Sequence, residues 1–302
     1  GDDALDQMQT CSEGIWSNKG NCLEPGKYAI LEKDAVKTDL SLDFEATPDG
    51  TDIALIVDTS GSMMNAISVL QNNISTITSN IRSYISDSQF GVVTLGTLGY
   101  NPYLPIQNIT SDLTTFNSKV ASIPSGNGSY EYHAVTIEQT ASGSGTTQTV
   151  KTYDGGSDYG VNVSSASCGS GFRGGICFRE NSLPLFVLMS DEAFATTGWI
   201  WSVGEETTAQ DAIDSMNDIN AKIAVIDSSG TSKYVETNTA TLAAGTYSYD
   251  QAGIPFYYNI LSTGAELNLK VEDAVKKMYD ETEMTTGLVF ESPVSNTIEA
   301  TQ

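Results

Sequence analysis

Asp52, Ile53, Ala54, Leu55, Ile56 and Val57 form a nearly unbroken apolar run. A run of this kind suits a strand buried on both faces of a parallel sheet, where no position has to meet water. The period then changes. Met63, Ile67, Leu70, Ile74, Ile77, Ile81 and Ile85 recur at steps of four and three, while Asn65, Ser68, Asn72, Ser75 and Asn80 fill the other side. One apolar stripe at that spacing predicts a helix packed on the sheet, so the order is strand, tight polar loop, helix. The unit returns along the chain. Phe90 to Leu95 is apolar, and after a Gly/Pro-rich stretch Ser111 stands where it can cap a helix carrying Leu113, Phe116, Val120 and Ile123. Leu183 to Met189 reads as another buried strand, followed by an aromatic loop, a helix with Ala209, Ile213, Met216 and Ile219, and a strand from Lys222 to Ile226. Leu267, Val271, Ala274, Val275 and Met278 mark a last helix before a short strand from Gly287 to Phe290.

Strands alternating with helices predict an α/β fold of the Rossmann-like, doubly wound kind, with a mostly parallel central sheet and helices on both faces. Ligands of such sheets bind beyond the carboxyl ends of the strands. Two stretches break the rhythm. Residues 141–182, rich in Gly, Ser and Thr and containing Cys168 and Cys177, read as a hairpin-like insertion closed by a disulfide. Residues 228–263, with Tyr234, Tyr247, Tyr249, Tyr257 and Tyr258, read as a second insertion. Residues 1–50, with the pair Cys11 and Cys22 and the alternating segment Thr38 to Phe44, read as a small β-rich flank. The main domain is then 51–291, and 292–302 form an extension or the start of a following strand.

Charge changes the picture of possible partners. There are 38 acidic residues against 14 basic ones, a formal charge of −24, so the mean field repels phosphate backbones and anionic lipid. Nucleic acid is disfavoured, and none is expected as a partner. No apolar run reaches the roughly 20 residues of a membrane-spanning helix, and the first residues have no signal-peptide pattern, as expected of a trimmed piece of an exported protein. Two close cysteine pairs, no C-x-x-C spacing and a single histidine, His133, argue for local disulfides rather than zinc, and so for an extracellular or cell-surface location.

The chemistry is concentrated in Asp58, Thr59, Ser60, Gly61 and Ser62, where the first strand ends and the first helix begins. Every second residue presents an oxygen to one side, a carboxylate and two hydroxyls, with Gly61 expected to supply the freedom the turn needs. Hard oxygen donors suit a hard cation, Mg²⁺ or alternatively Mn²⁺ or Ca²⁺. The plain alternative is that Ser60 or Ser62 only caps the helix. Apolar strand, D-x-S-x-S, then amphipathic helix resembles the opening of the von Willebrand factor A domain and its metal-ion-dependent adhesion site. The resemblance covers roughly residues 50 to 291, with its specific motifs confined to three short loops. It implies that the first loop supplies Asp58, Ser60 and Ser62, a second loop a Thr or acidic ligand, and a third an Asp after a buried strand. Asp191, after Phe186 to Ser190, occupies that third place, while strand alternation turns Glu192 elsewhere. In the second loop two residues compete. Ser129 falls where the Thr would, and Glu131 matches a G-x-G-x-x-E form of bacterial surface members and is preferred. Three carboxylates around the ion would hold it firmly and leave it less attractive to an incoming carboxylate, so a neutral sugar hydroxyl or amide oxygen suits the open position as well.

Tyr130, Tyr132, His133, Trp199 and Trp201 lie along the same edge, where exposed aromatics would give contact area to a protein or glycan. Each taken alone is as well explained by loop packing. His133 as a catalytic base lacks a nucleophile pattern. The sequence therefore reads as a non-enzymatic adhesion module that binds a protein or glycan through a divalent cation. A structural domain of a surface fibre, with metal only steadying the loops, is the alternative. A Mg²⁺-dependent phosphohydrolase is remote, because its motif needs a second Asp where Ser60 stands and no Gly-rich phosphate cradle with a Lys is present.

Overall fold

The computed structural model describes residues 15–16, 20–21, 50–95, 103–124, 132–150, 159–192, 207–230 and 233–285. The chain divides into two compact units, Gly1–Ala46 with Met284–Gln302, and Thr47–Glu283. In the first, strands β1 (Ile15–Trp16) and β2 (Gly20–Asn21) pair antiparallel. Cys11 and Cys22, the alternating segment 38–44, the expected strand 287–290 and the extension 292–302 lie outside the described residues.

The second unit opens with β3 (Gly50–Asp58), α1 (Met64–Tyr84) and β4 (Ser88–Leu95). Next come β5 (Leu104–Thr110), α2 (Leu113–Ala121), α3 (His133–Ser142) and the short strands β6 (Thr146–Val150), β7 (Tyr159–Val163), β8 (Phe172–Arg173) and β9 (Phe178–Arg179). After β10 (Ser182–Ser190) the chain runs through α4 (Ala209–Asp218), β11 (Lys222–Asp227), α5 (Lys233–Thr246), β12 (Tyr257–Asn259) and α6 (Leu267–Thr285). Six strands form one sheet in the order β12, β11, β10, β3, β4, β5, parallel throughout except for β4 with β5. The fold is the doubly wound α/β class that the periodicity predicts.

Alternate residues of a strand point to opposite faces, so a central strand covered on both sides must be apolar at nearly every position. Ile53, Leu55 and Val57 pack with Ile67, Leu70 and Ile74 of α1, Phe116 of α2 and Val271 of α6. Ala54 and Ile56 pack on the other face with Val135 of α3, Met216 of α4 and Leu242 of α5. Among the described residues no helix is long and apolar enough to cross a membrane.

Three expectations are corrected. The Gly/Pro-rich connection after β4 contains a strand, β5, at the sheet edge, the place where a strand tolerates a proline such as Pro105. The residue capping α2 is Asp112, not Ser111: its carboxylate accepts from the backbone N–H of Thr114 at 2.9 Å and of Thr115 at 3.2 Å. Residues 228–263 are not an insertion but a regular part of the winding, helix α5 followed by edge strand β12. The buried side of α5 carries Thr239 and Thr246 among its apolar residues, which hides the helical period. Burial is tolerated because their hydroxyls donate back to the carbonyls of Val235 and Leu242, both at 2.8 Å.

Within 141–182, β6 pairs with β7, β8 pairs with β9, and Cys168 and Cys177 form a disulfide. The bridge closes a loop nine residues apart in sequence. Replacing both cysteines with serine is expected to lower unfolding stability by about 2.5 kcal/mol, the chain-entropy value for so short a loop, measurable in a urea titration.

Candidate metal centre

β3 and β10 are neighbours running in the same direction, with Val57 opposite Met189. Their carboxyl ends therefore deliver Asp58 and Ser190 side by side, and Asp191 one residue further out. The loop after Asp58 is folded by its own polar groups. Ser60 N–H donates to Asp58 Oδ1 at 2.8 Å, and Thr59, on the opposite side of the loop, donates through N–H at 3.1 Å and through its hydroxyl at 2.9 Å to the carbonyl of Leu95 on β4. Asp58, Ser60 and Ser62 are left facing one way. Ser60 Oγ and Ser62 Oγ stand 3.1 Å apart, and Ser62 Oγ donates to Asp191 Oδ1, also at 3.1 Å. Four of the residues expected to hold a metal, Asp58, Ser60, Ser62 and Asp191, thus meet from two loops 129 residues apart.

Gly61 differs from expectation. Its φ is not positive, and a Cβ there would meet nothing within 4 Å, so glycine supplies open space over the loop rather than an unusual backbone conformation.

Burial governs the electrostatics. Asp58 is fully buried and burial pushes its carboxyl up to about 6, against the lowering effect of hydrogen bonds from Ser60 and Ser190; the negative charge of Asp191 adds to the rise. Asp191 is raised as well, first by burial, with Asp227 contributing and the Ser62 hydroxyl opposing. Glu192 is raised by burial, then by Asp191 and Asp227. The rim therefore gathers carboxylates that resist ionisation. Because the folded value for Asp58 lies above the ordinary 3.8, the folded chain holds this proton more tightly than the unfolded one. The stability it contributes is complete below about pH 4 and lost as pH rises through about 6. A cation held here would need the ionised form, so Mn²⁺ affinity would then fall about tenfold per pH unit below 6, checked by titrations across that range.

The donor set fits a hard cation. Adjacent oxygens around an octahedral ion with bonds of about 2.1 Å stand about 3 Å apart. The two separations here, 3.1 Å each, are hydrogen-bond lengths that lie close to that edge. Among the described residues no three His, Cys, Asp or Glu side chains converge as a metal-holding group. The set there is two carboxylates with two hydroxyls, and Glu131, its competitor Ser129, and Tyr130, Trp199 and Trp201 lie outside the described residues.

No protein-family model matches the chain, and no curated protein matches it. Among solved structures, the conserved hypothetical protein BatB from Bacteroides thetaiotaomicron is similar over 76% of this chain and 100% of that one, at 11% identity and a TM-score of 0.46. The pilus adhesin SpaC from Lactobacillus rhamnosus GG, in its open conformation, is similar over 78% of this chain and 31% of that one, at 12% identity and a TM-score of 0.46. Likenesses this loose carry no argument about the site.

One expected surface residue is corrected. Tyr132 is 1% exposed and packs in the core with Ala54, Ile56 and Phe186, because the first turn of α3 is pressed onto the sheet. It is unavailable to a partner. Behind the site, Ser190 was not expected, and His133, expected along this edge as a surface aromatic, is buried. Ser190 donates to Asp58 Oδ2 at 2.7 Å, and His133 Nε2 lies 2.9 Å from Ser190 Oγ. The advance signals were the polar Ser190 at the end of an otherwise apolar strand and the place of His133 along the same edge.

The end of β11 repeats the motif: Asp227, Ser228, Ser229, Gly230 and Thr231 parallel Asp58 to Ser62. Ser229 N–H donates to Asp227 Oδ1 at 2.8 Å, as Ser60 does to Asp58. The second oxygen of Asp227, however, accepts from the hydroxyl of Tyr257 and from Asn259 Nδ2, so β12 engages the carboxylate that a cation would need. Its negative charge still reaches Asp191 and Glu192.

Proposed function

We propose that the chain is a metal-dependent binding module of a secreted or cell-surface protein. In this reading one divalent cation, Mg²⁺, Mn²⁺ or Ca²⁺, is held by Ser60, Ser62 and Asp191, with Asp58 behind them and Glu131 completing the set. The observation that carries it is the row of three oxygens, Ser60 Oγ, Ser62 Oγ and Asp191 Oδ1, spaced 3.1 and 3.1 Å beside a buried carboxylate. Ser62 and Gly61 are exposed, so this edge is open to a partner.

The cation would supply a Lewis-acidic position that accepts an oxygen from the partner, a carboxylate, amide or sugar hydroxyl on a protein or glycan. The chain's own part is to orient the donors and concentrate negative charge. Two aspartates of β3 make the contrast. Asp52, at the amino end, is buried and neutralised by the Arg179 guanidinium at 2.7 Å. Asp58, at the carboxyl end, is equally buried, and it accepts from the Ser60 amide and from the Ser60 and Ser190 hydroxyls. Its charge is left for a cation. The disulfide of Cys168 and Cys177 favours an oxidising compartment, and the acidity of the chain disfavours nucleic acid. We assign no catalytic residue.

The test is a screen of glycans and cell-surface proteins against the chain, run with Mg²⁺ and with chelator. Binding is expected to require the cation and to vanish in Asp191→Ala. Binding that survives both chelator and that substitution would overturn the proposal. A cation that raises the melting temperature but alters no partner would assign the metal to fibre assembly or loop stability instead. A generic phosphate ester with Mg²⁺ is expected to remain intact.

A further inference from the structure

The polar chain behind Asp58 can be assigned direction. A serine hydroxyl has one proton and two lone pairs. Ser190 Oγ gives its proton to Asp58 Oδ2 at 2.7 Å and accepts the N–H of Glu192 at 3.2 Å. Its remaining contact, to His133 Nε2 at 2.9 Å, must then be donated by the imidazole while Asp58 is ionised. His133, Ser190 and Asp58 are 0%, 1% and 0% exposed, so water does not compete for these bonds. The order of groups differs from that of a nucleophilic triad. There the imidazole stands between hydroxyl and carboxylate and takes the hydroxyl proton, whereas here the hydroxyl stands in the middle with its proton committed to the carboxylate.

We propose that Ser190 and His133 are positioning residues for the cation: His133 fixes the direction of the Ser190 hydroxyl, and Ser190 holds the Asp58 carboxylate in the orientation that faces Ser60 and Ser62. The inference rests on the metal reading above. Three observations support it. Ser190, on β10, bonds Asp58 and is itself held by His133 of α3, so rigid elements fix the side of the carboxylate that its own loop does not hold. Ser190 Oγ, with both lone pairs and its proton used, has no second arrangement open to it while His133 donates. And Ser190 engages the oxygen opposite the one held by Ser60 N–H, so neither carboxylate oxygen is free to turn away. Outer partners of this type govern how well a first ligand presents itself to a metal.

The test measures Mn²⁺ affinity by the electron paramagnetic resonance of the free ion, for the native chain, Asp58→Asn, Ser190→Ala, Ser190→Thr, His133→Leu and His133→Gln. Circular dichroism melts give the folded fraction of each. Ser190→Ala and His133→Leu are expected to bind about tenfold more weakly than the native chain, while Ser190→Thr and His133→Gln, which keep a hydroxyl and an N–H donor, stay within about threefold. Rescue by the conservative variants is the result a purely structural role would not give. If Ser190→Ala and His133→Leu bind as tightly as the native chain, or if Ser190→Thr is as weak as Ser190→Ala, the positioning role is wrong and the metal reading stands. If the native chain binds no better than Asp58→Asn, the metal reading fails and takes this inference with it. Should His133→Leu fail to fold, the two Ser190 variants decide.

Discussion

An Asp58→Asn chain is expected to lose its cation-dependent rise in melting temperature. The native carboxylate is buried, its ordinary ionisation pushed up to about 6 by that burial, so its negative charge persists at neutral pH against a desolvation cost that a cation would offset. Removing one unit charge about 4 Å from the ion forfeits at least about 4 kcal/mol at an effective dielectric of 20, near a thousandfold in affinity. At a concentration one hundred times its dissociation constant a cation adds about 2.7 kcal/mol to the native chain, a rise of about 5–10 °C for a domain of this size. The same concentration adds essentially nothing to Asp58→Asn. Without metal the variant gains by losing a buried charge. It also loses, because the new NH₂ faces either the Ser60 N–H or the Ser190 hydroxyl, and the two effects oppose each other. Calorimetry with and without Mg²⁺ checks both halves, and an undiminished metal shift in Asp58→Asn would contradict the assignment.

The second large effect lies at the opposite end of β3. Arg179 of β9 donates to Asp52 through Nε at 2.8 Å and through its backbone N–H at 2.7 Å, and it also reaches the carbonyls of Thr51 and Asp87 and the Asp87 carboxylate. Gly50 makes room for it: a Cβ there would lie 2.7 Å from the guanidinium and 2.3 Å from Asp87 Oδ2. Arg179→Ala strands a fully buried carboxylate with only Ser182 Oγ and one backbone N–H as partners. The expected cost is about 3–5 kcal/mol, read in a urea titration. Adding Asp52→Asn to that background should restore part of it, since the uncompensated charge is what the first change exposes. A loss below about 1 kcal/mol would mean that the pair is effectively solvated.

The winding of β3, α1, β4, β10, α4, β11 and α6 was legible because each carries one clean period, unbroken apolar for the covered strands and four-three for the helices. β5 and α5 were not. In β5, at an edge, Gln107 is half-buried and Asn108 exposed, and the threonines of α5 satisfy themselves within the helix, so neither element shows its burial in its residue types. Asp58, Ser60, Ser62 and Asp191 were legible as a spacing at strand ends, and the parallel register of β3 with β10 brings them together. Ser190 and His133 could not be read as a unit with Asp58, because Ser190 reaches Asp58 across 132 residues and His133 reaches Ser190 across 57, separations that only the folded sheet closes. Tyr132 misled for the same reason: two residues from a polar loop it looked exposed, yet the sheet covers it.

The most direct measurement is anomalous diffraction from crystals grown in saturating Mn²⁺. A peak is expected within about 2.2 Å of both Ser60 Oγ and Ser62 Oγ, with Asp191 on the same ion or one water away. A saturated chain whose manganese lies elsewhere, or whose density at these two hydroxyls contains no metal, would contradict it.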